Sequence, residues 1–370
     1  MIKAHKIRLN PTPEQEAYFR RAAGTARFVY NWGLARWIRL YEAGERPSIW
    51  QIKQEFNAIK GEQFPWVYEV AKDVAENAFF NLAKAFKNFF ESHNGQRKGE
   101  KVGYPRFKSK KRSKLSFSLN NDKFKVDGHW LRVPKLGWVN MAETLRFEGK
   151  ILGATPSKQA DWWYVSVHVE VEDSEPIDFL NESVGIDLGL KSLAVLSDGT
   201  EFENQELLRS ELRKLKRLNR ELSRRQPGSN RWRKTQRKLA RLHKRIADRR
   251  NDTIHKMTTE IARSYRLIGI EDLNLKGMLK NRRLALSLSD AAMGEICRQL
   301  VYKSAWFGGQ VVKVDRFFAS SKTCSECGHV NHDLQLSDRR WTCQGCGTIH
   351  DRDWNASKNI EVEALRLVGA

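Results

Sequence analysis

Two Cys-x-x-Cys pairs, Cys324/Cys327 and Cys343/Cys346, constrain this chain more than any other feature of its sequence. Each pair offers two thiolates from one tight turn. Gly328 and Gly347 directly follow, so the backbone can bend and aim its N–H groups at the sulfurs. Two such turns complete a tetrahedral four-cysteine zinc site of ribbon type, closed to further ligands and therefore structural. His329, His332 and His350 stand nearby as alternative ligands. A disulfide scaffold would spread its cysteines along the chain, but four of the five cluster here. The fifth, Cys297, lies in a helical pattern and reads as a small core residue.

Charge is the second constraint. Lys and Arg number 66 against 44 Asp and Glu, a net charge of +22. Such a surplus repels itself unless an anionic partner neutralises it, which makes nucleic acid the leading partner and an anionic membrane surface the other option. No run of about 18 apolar residues is present, so a spanning helix is excluded. Met1-Ile2-Lys3-Ala4-His5-Lys6 lacks the apolar region of a secretory signal. The expectation is a soluble, cytoplasmic protein. At 370 residues and 40% apolar content, two or three compact regions with real cores are expected.

Ile2, Ala4, Ile7 and Leu9 alternate as a strand that Pro11 ends. Thr12-Pro13-Glu14-Gln15 then opens a helix: Thr12 as N-cap, Pro13 at the first helical position, Gln15 closing a capping box. Helix is expected to about Ala43, then over 48–59 and 67–90, with Ala78, Leu82, Phe86 and Phe89 as a core stripe. Residues 95–114 read as a basic surface loop in which Tyr104, Arg106, Phe107 and Lys108 could clamp phosphates and stack on bases.

From Leu115 to Val171 the pattern is β, with Asp127-Gly128 as a hairpin turn and Trp162–Val171 as a long strand. With residues 2–9 these strands suggest a small antiparallel barrel holding the helical block as an insertion. The acidic stretch Glu172–Glu182, with Pro176, reads as a boundary. Two strands follow over 184–196. Residues 206–265 then form a basic αα-hairpin broken at Gln226-Pro227-Gly228-Ser229-Asn230. Leu212, Leu215, Leu222, Leu239, Leu242 and Ile246 mark its inner stripe. Arg224, Arg225, Arg231, Lys234, Arg237, Lys238, Arg241, Lys244 and Arg245 crowd the hairpin with too few acids for i,i+4 pairing, so nucleic-acid contact is expected. A short strand 267–270, a helix 290–307, a strand 310–317 and a closing helix 353–367 complete the pattern.

Three acids mark the ends of separate elements. Asp187 lies between Ile186 and Leu188 in an apolar strand, where a carboxylate is costly unless it is paired or binds a cation. Glu271 ends Leu267-Ile268-Gly269-Ile270, and Asp353 opens the last helix. Two-Mg²⁺ phosphodiester hydrolysis needs such converging hard oxygen ligands. Each acid also has a plainer reading: Asp187 as a hairpin turn residue, Glu271 or Asp272 as a loop cap, Asp353 as an N-cap.

Val184-Gly185-Ile186-Asp187-Leu188-Gly189, then Gly269-Ile270-Glu271-Asp272-Leu273-Asn274, then Asp351-Arg352-Asp353-Trp354-Asn355-Ala356 follow one another in that order. They resemble the three motifs of a RuvC-type (RNase H-like) nuclease. With the cysteine ribbon before the third motif, and with Ala26–Trp32 and Gly103–Lys108, the chain resembles the TnpB (OrfB) family of insertion-sequence proteins, akin to compact type V CRISPR effectors. Trp354 and Ser357 fill variable places around the final motif.

The resemblance implies an α+β multidomain protein. Its wedge-like β-barrel would comprise residues 1–11 and 96–175 and its helical recognition domain 12–95. The RuvC-like nuclease domain would be 180–320 with 348–370, and the zinc ribbon 321–347. The implied activity is RNA-guided DNA cleavage beside a short target-adjacent motif. Asp187, Glu271 and Asp353 would hold two Mg²⁺, with Asp351 auxiliary, and one Zn²⁺ would sit on the four cysteines. The implied partners are a guide RNA from the transposon end and double-stranded target DNA, on a monomer associated with a prokaryotic nucleoid. Lys72, Asn77 and Asn120 are candidates for reading the adjacent motif. Asn281, Arg282 and Arg283, with 284–289, are candidates for a mobile cover over the acids. The competing readings are a nuclease-inactive guided regulator and an RNase H-like transposase or resolvase.

Overall fold

Alternation and capping build the first two elements as expected, with one change of face. The computed structural model describes residues 1–97, 99–172, 177–335 and 337–369. Strand β1 (Ile2–Asn10) turns His5, Ile7 and Leu9 inward, while Ile2 and Ala4 lie on the exposed face. Helix α1 (Pro13–Glu42) starts from a complete capping box: Gln15 N donates to Thr12 Oγ1 (3.3 Å) and Thr12 N to Gln15 Oε1 (3.1 Å). Helices α2 (Ile49–Gln63) and α3 (Lys72–His93) flank a 3-10 turn at Pro65–Glu69. Strands β2 (Leu119–Asn120), β3 (Lys125–Asp127), β4 (Trp130–Val133), β5 (Gly137–Met141), β6 (Lys150–Gln159) and β7 (Trp162–Glu170) follow.

These seven strands form one antiparallel sheet in the order β2-β6-β7-β1-β5-β4-β3. Its edges, β2 and β3, do not pair with each other, so the expected barrel is instead an open sheet. These edge strands are two and three residues long, too short to share a ladder that closes a barrel. The helices are inserted between β1 and β2, as the sequence suggested. α1 serves two cores. Its Tyr18, Phe19, Ala22 and Ala23 pack with the sheet's Val139, Trp163 and Val165, and its Val29, Tyr30 and Leu34 pack with Ile52, Phe56, Phe79 and Leu82 of α2 and α3.

The chain divides into two compact units after Glu172, within the stretch marked as a boundary, of which 173–176 lie outside the described residues. The second unit begins with β8 (Asn181–Asp187), β9 (Ser192–Leu196) and β10 (Glu201–Glu203). A one-turn helix α4 (Leu207–Ser210) precedes the basic hairpin of α5 (Leu212–Ser223) and α6 (Asn230–Ser264). Strand β11 (Tyr265–Glu271), α7 (Leu275–Leu279), α8 (Ala285–Ala291), α9 (Met293–Phe307) and β12 (Gln310–Val314) come next. A ribbon, β13 (Arg340–Thr342) with β14 (Ile349–Asp351), leads into α10 (Arg352–Val368).

The five-stranded sheet runs β10-β9-β8-β11-β12, with β8, β9 and β10 antiparallel and β11 and β12 parallel to β8. Gly185 and Gly269 are register partners on neighbouring strands. A Cβ on Gly185 would lie 1.9 Å from the Ser357 carbonyl, and one on Gly269 would lie 2.8 Å from Ala364 Cβ. The two glycines thus open a smooth track on which α10 lies against the sheet. Ser357 is buried at this approach and is not an indifferent position. The expected mobile cover is partly helix: Leu288 and Ala291 of α8 belong to the core formed by Val184, Ile186, Ile268 and Ile296.

Candidate functional site

Parallel pairing places two of the three acids side by side. Ile186 of β8 stands opposite Ile270 of β11, so Asp187 and Glu271 follow as neighbours at the carboxyl ends of adjacent strands. The glycine track seats α10 against those strands, bringing in Asp353 from its first turn. Asp351, and not Asp353, is the N-cap: its Oδ1 accepts the amides of Asp353 (3.1 Å) and Trp354 (3.2 Å). The Trp354 indole donates to the Ser197 carbonyl (2.9 Å), tying the start of α10 to the turn after β9.

Their electrostatic settings differ. Arg339 Nη1 lies 2.9 Å from Asp353 Oδ2, and Ser320 Oγ donates to Glu271 Oε1 (2.5 Å). Among the described residues no ion pair forms with Asp187: burial first, then the charges of Glu271 and Asp353, push its carboxyl up to about 7 against the opposing pull of Arg352 and Arg339. Asp272, the alternative to Glu271, is neutralised from outside by Arg316 (2.5 Å) and Lys313 (3.6 Å), and Arg316 first of all holds its pKa down.

Among the described residues, one group of three or more His, Cys, Asp or Glu has ligand atoms all within 4.8 Å of one another: Cys324, Cys327, Cys343 and Cys346. The acid trio is more open than that. Both cysteine turns are built alike. Gly328 N donates to Cys324 O and Gly347 N to Cys343 O (2.9 Å each), while Cys324 N reaches His329 O and Cys343 N reaches Thr348 O (2.8 Å each). Both glycines take positive φ, +76° and +73°, which their lack of Cβ permits. Sulfur separations of 3.7 Å (Cys324–Cys346) and 3.6 Å (Cys327–Cys343) fit a metal-binding tetrahedron. None of the histidines joins the group. His350 is buried beside it, with Nε2 3.0 Å from the Cys324 sulfur and its ring against Trp341. Cys297 packs at the edge of the unit's core.

Sequence reasoning missed the parts that join the two centres. Asn355 and Asn359, one turn apart on α10, both donate to the Thr323 carbonyl (2.7 and 2.6 Å), and Asn359 also to that of Ser320 (2.7 Å). Ser325 N returns a bond to Asn355 Oδ1 (2.9 Å). The i,i+4 spacing of the two asparagines was the visible signal. Nothing in the sequence marked Ser320 or Arg339.

The basic candidates separate by environment. Arg224, Arg231, Lys234, Arg237, Lys238, Arg241, Arg245, Arg282 and Arg283 are exposed. Lys244 is 7% exposed and ion-paired with Asp248 (2.6 Å), and Arg225 is held by Glu221 and the Arg231 carbonyl. In the first unit Lys72 and Arg106 are exposed. Tyr104 packs edge-on to Phe86 and Phe89. Lys108 turns inward, Nζ 3.8 Å from the Tyr30 ring centroid, and both its peptide groups bond Asn31. Asn77 donates to Asn120 Oδ1 (3.0 Å), so those two candidates form one polar pair.

The fold is similar to that of a solved type V Cas12 effector. A solved Cas12f1–sgRNA–target DNA complex superposes with a TM-score of 0.56 at 16% identity, covering 94% of this chain and 83% of that one. Family models described as "Probable transposase" match residues 166–282, as "Cas12f1-like, TNB domain" 294–360, and as "Helix-turn-helix domain" 1–46. Those last residues form β1, α1 and the turn beyond it rather than two helices. A Streptomyces pristinaespiralis protein named "Putative RNA-guided DNA endonuclease" is 36% identical across 98% of this chain and 89% of its own length. Escherichia coli K12 InsQ, similarly named, is 33% identical across 97% and 91%. The chain belongs to the TnpB (OrfB, IS605-type) family. No helix among the described residues is long and apolar enough to cross a membrane.

Proposed function

We propose that this protein is an RNA-guided DNA endonuclease of an insertion sequence, with Asp187, Glu271 and Asp353 as its catalytic acids. One observation carries the reading: Asp187, at a strand end, is pushed up to about 7 by burial first and then by the charges of Glu271 and Asp353. Repulsion of that kind is relieved by cations, and folded proteins tolerate it chiefly where a site needs it. The strand order β10-β9-β8-β11-β12 supports an RNase H-like nuclease domain.

Hard carboxylate oxygens suit Mg²⁺. Asp187, Glu271 and Asp353 would together hold two such ions. Bound there, the ions would activate water and stabilise the leaving oxygen of a cut phosphodiester. The protein's own part is positional. β8 and β11 fix Asp187 and Glu271, α10 carries Asp353, and Arg339 balances Asp353 until that pair opens. At the cysteine cluster the sulfur separations match the roughly 3.8 Å of a tetrahedron with 2.3 Å metal–sulfur bonds, which suits one structural Zn²⁺.

The exposed arginines and lysines of α5 and α6 would track the phosphates of a guide–target duplex, leaving sequence to base pairing. Lys72 and the Asn77–Asn120 pair remain the candidates for reading an adjacent DNA motif. Within this reading the first unit supplies the wedge-like sheet domain and the helical recognition domain, and the second the nuclease domain and ribbon.

The test is to purify the protein from cells carrying its flanking DNA and sequence the bound RNA. A discrete RNA ending in a variable guide, followed by Mg²⁺-dependent cutting of a matching DNA, is the expected result. Random fragments or no RNA would overturn the guided reading.

A further inference from the structure

The turn after β12 carries an aromatic ring that the fold itself does not use. Phe318 points inward and packs with Leu267, Val314, Ile360 and Ala364, whereas its neighbour Phe317 is 88% exposed. Burying a phenylalanine is worth about 2 kcal/mol, and this one forgoes it. Isolated exposed rings are common, but this turn is fixed at both ends. Arg316 pairs with Asp272 on one side, and on the other Ser320, 5% exposed, donates to Glu271. Phe317 N donates to Asp315 Oδ1 (2.8 Å) and Phe318 N to Asp315 O (3.0 Å), closing the turn. Phe317 is three residues from Ser320, so its Cα lies within about 11 Å of the Cα of a residue bonded to Glu271.

Resting on the nuclease reading above, we infer that Phe317 is a stacking site for an unpaired nucleobase of the DNA strand whose phosphate lies at Asp187, Glu271 and Asp353. Among residues 315–320, Phe317 is the one large apolar side chain that is exposed. Its flanks are Asp315 and Arg316, and the molecule's +22 charge favours a polyanion. Bases inside a duplex have both faces covered, so only an extruded or single-stranded base offers a face to it. Stacking there would hold the strand while the adjoining phosphate meets the acids.

The test uses the protein–guide RNA complex as purified, with the cut site mapped on its target. Phe317→Ala is expected to lower kcat/KM for cleavage about 5- to 100-fold. Phe317→Trp should restore it and Phe317→Leu should not. One abasic nucleotide near the cut should reproduce the loss in the wild type and add nothing in Phe317→Ala. Cleavage by Phe317→Ala at the wild-type rate, or abasic penalties that multiply at every position, would overturn the proposal. A second readout needs no cutting: 5-iodouracil placed at that nucleotide should photocross-link to Phe317 with divalent cations absent. Cross-linking only elsewhere overturns the stacking site. A wild-type complex that cross-links at Phe317 yet never cuts would overturn the nuclease reading instead.

Discussion

The four cysteines draw their sulfurs to within 4.8 Å of one another, whereas Asp187, Glu271 and Asp353 stand further apart; Asp353 meets Arg339 and Glu271 meets Ser320, while no ion pair forms with Asp187 among the described residues. Both are collections of groups that repel when ionised, and they meet the problem differently. The cysteine centre is built from two short, duplicated turns that offer four sulfurs, a full tetrahedral set for one metal. The acids are brought together by strand pairing and a seated helix across 166 residues of sequence, and they stay open. A closed cluster suits a metal that holds structure, and an open one suits metals that must share their coordination with a substrate.

The sharpest way to break this contrast is to remove one member from each side. Asp187→Ala should lower the cleavage rate by about 10³-fold or more while guided DNA binding is retained, measured by single-turnover cutting and by gel shift. Binding lost along with cutting would make Asp187 structural. Cys343→Ser should act in the opposite sense. Bound zinc, read by mass spectrometry of the native protein, should fall from one per chain, and limited proteolysis should open residues 321–350 first.

The seating of α10 tests how the acids are assembled. Gly185→Ala puts a methyl 1.9 Å from a backbone carbonyl that cannot step aside, and should cost about 3 kcal/mol in denaturant unfolding. Gly269→Ala is less tight, with the new methyl 2.8 Å from Ala364 Cβ and 3.0 Å from the Ile360 carbonyl oxygen, and should cost about 1 kcal/mol. Equal effects would mean that α10 is free to shift along its track.

Charge at Asp187 gives a smaller, pH-dependent effect. Its folded pKa of about 7 lies above the ordinary 3.8, so without divalent cations the folded protein binds the extra proton between those values. Stability from this group is therefore present below about pH 4 and is lost as pH rises to 7. Asp187→Asn should raise the apparent Tm of the metal-free protein fully above pH 7, with the gain fading toward pH 4. A gain independent of pH would detach it from titration.

Legibility in the sequence followed the same divide. The cysteine turns, the Thr12–Gln15 capping box and the break at Pro227-Gly228 were readable because each is decided within a few residues. The three acids could be named from their motifs, but their meeting depends on the register of β8 with β11 and on the Gly185–Gly269 track, which no local pattern encodes. β5, β6 and β10 went unread for a related reason. Gly137–Met141 is short, and Lys150–Gln159 carries Gly153 and Pro156, which mask alternation until β7 pairs along it. The barrel failed at its edges, where two strands proved too short to close it. Ser320 and Arg339 drew no notice because an isolated serine or arginine becomes functional only through what it touches.

The smallest expected effect separates charge that faces a partner from charge that holds the fold. Lys238 and Lys244 lie on the same helix, in the same basic run, and the sequence offers no reason to distinguish them. Lys238 is exposed; Lys244 is buried and paired with Asp248 one turn away. If the outer face of the hairpin tracks phosphates, Lys238→Ala should reduce the slope of log affinity against log salt by about 1 and leave the thermal midpoint unchanged. Lys244→Ala should leave the slope unchanged and cost about 1 kcal/mol of stability, chiefly through the lost packing of its aliphatic stem. Exchange of these two outcomes would place the nucleic acid on the opposite face of α6, and the inner leucine stripe at Leu215, Leu218, Leu242 and Ile246 would then have to part to admit it.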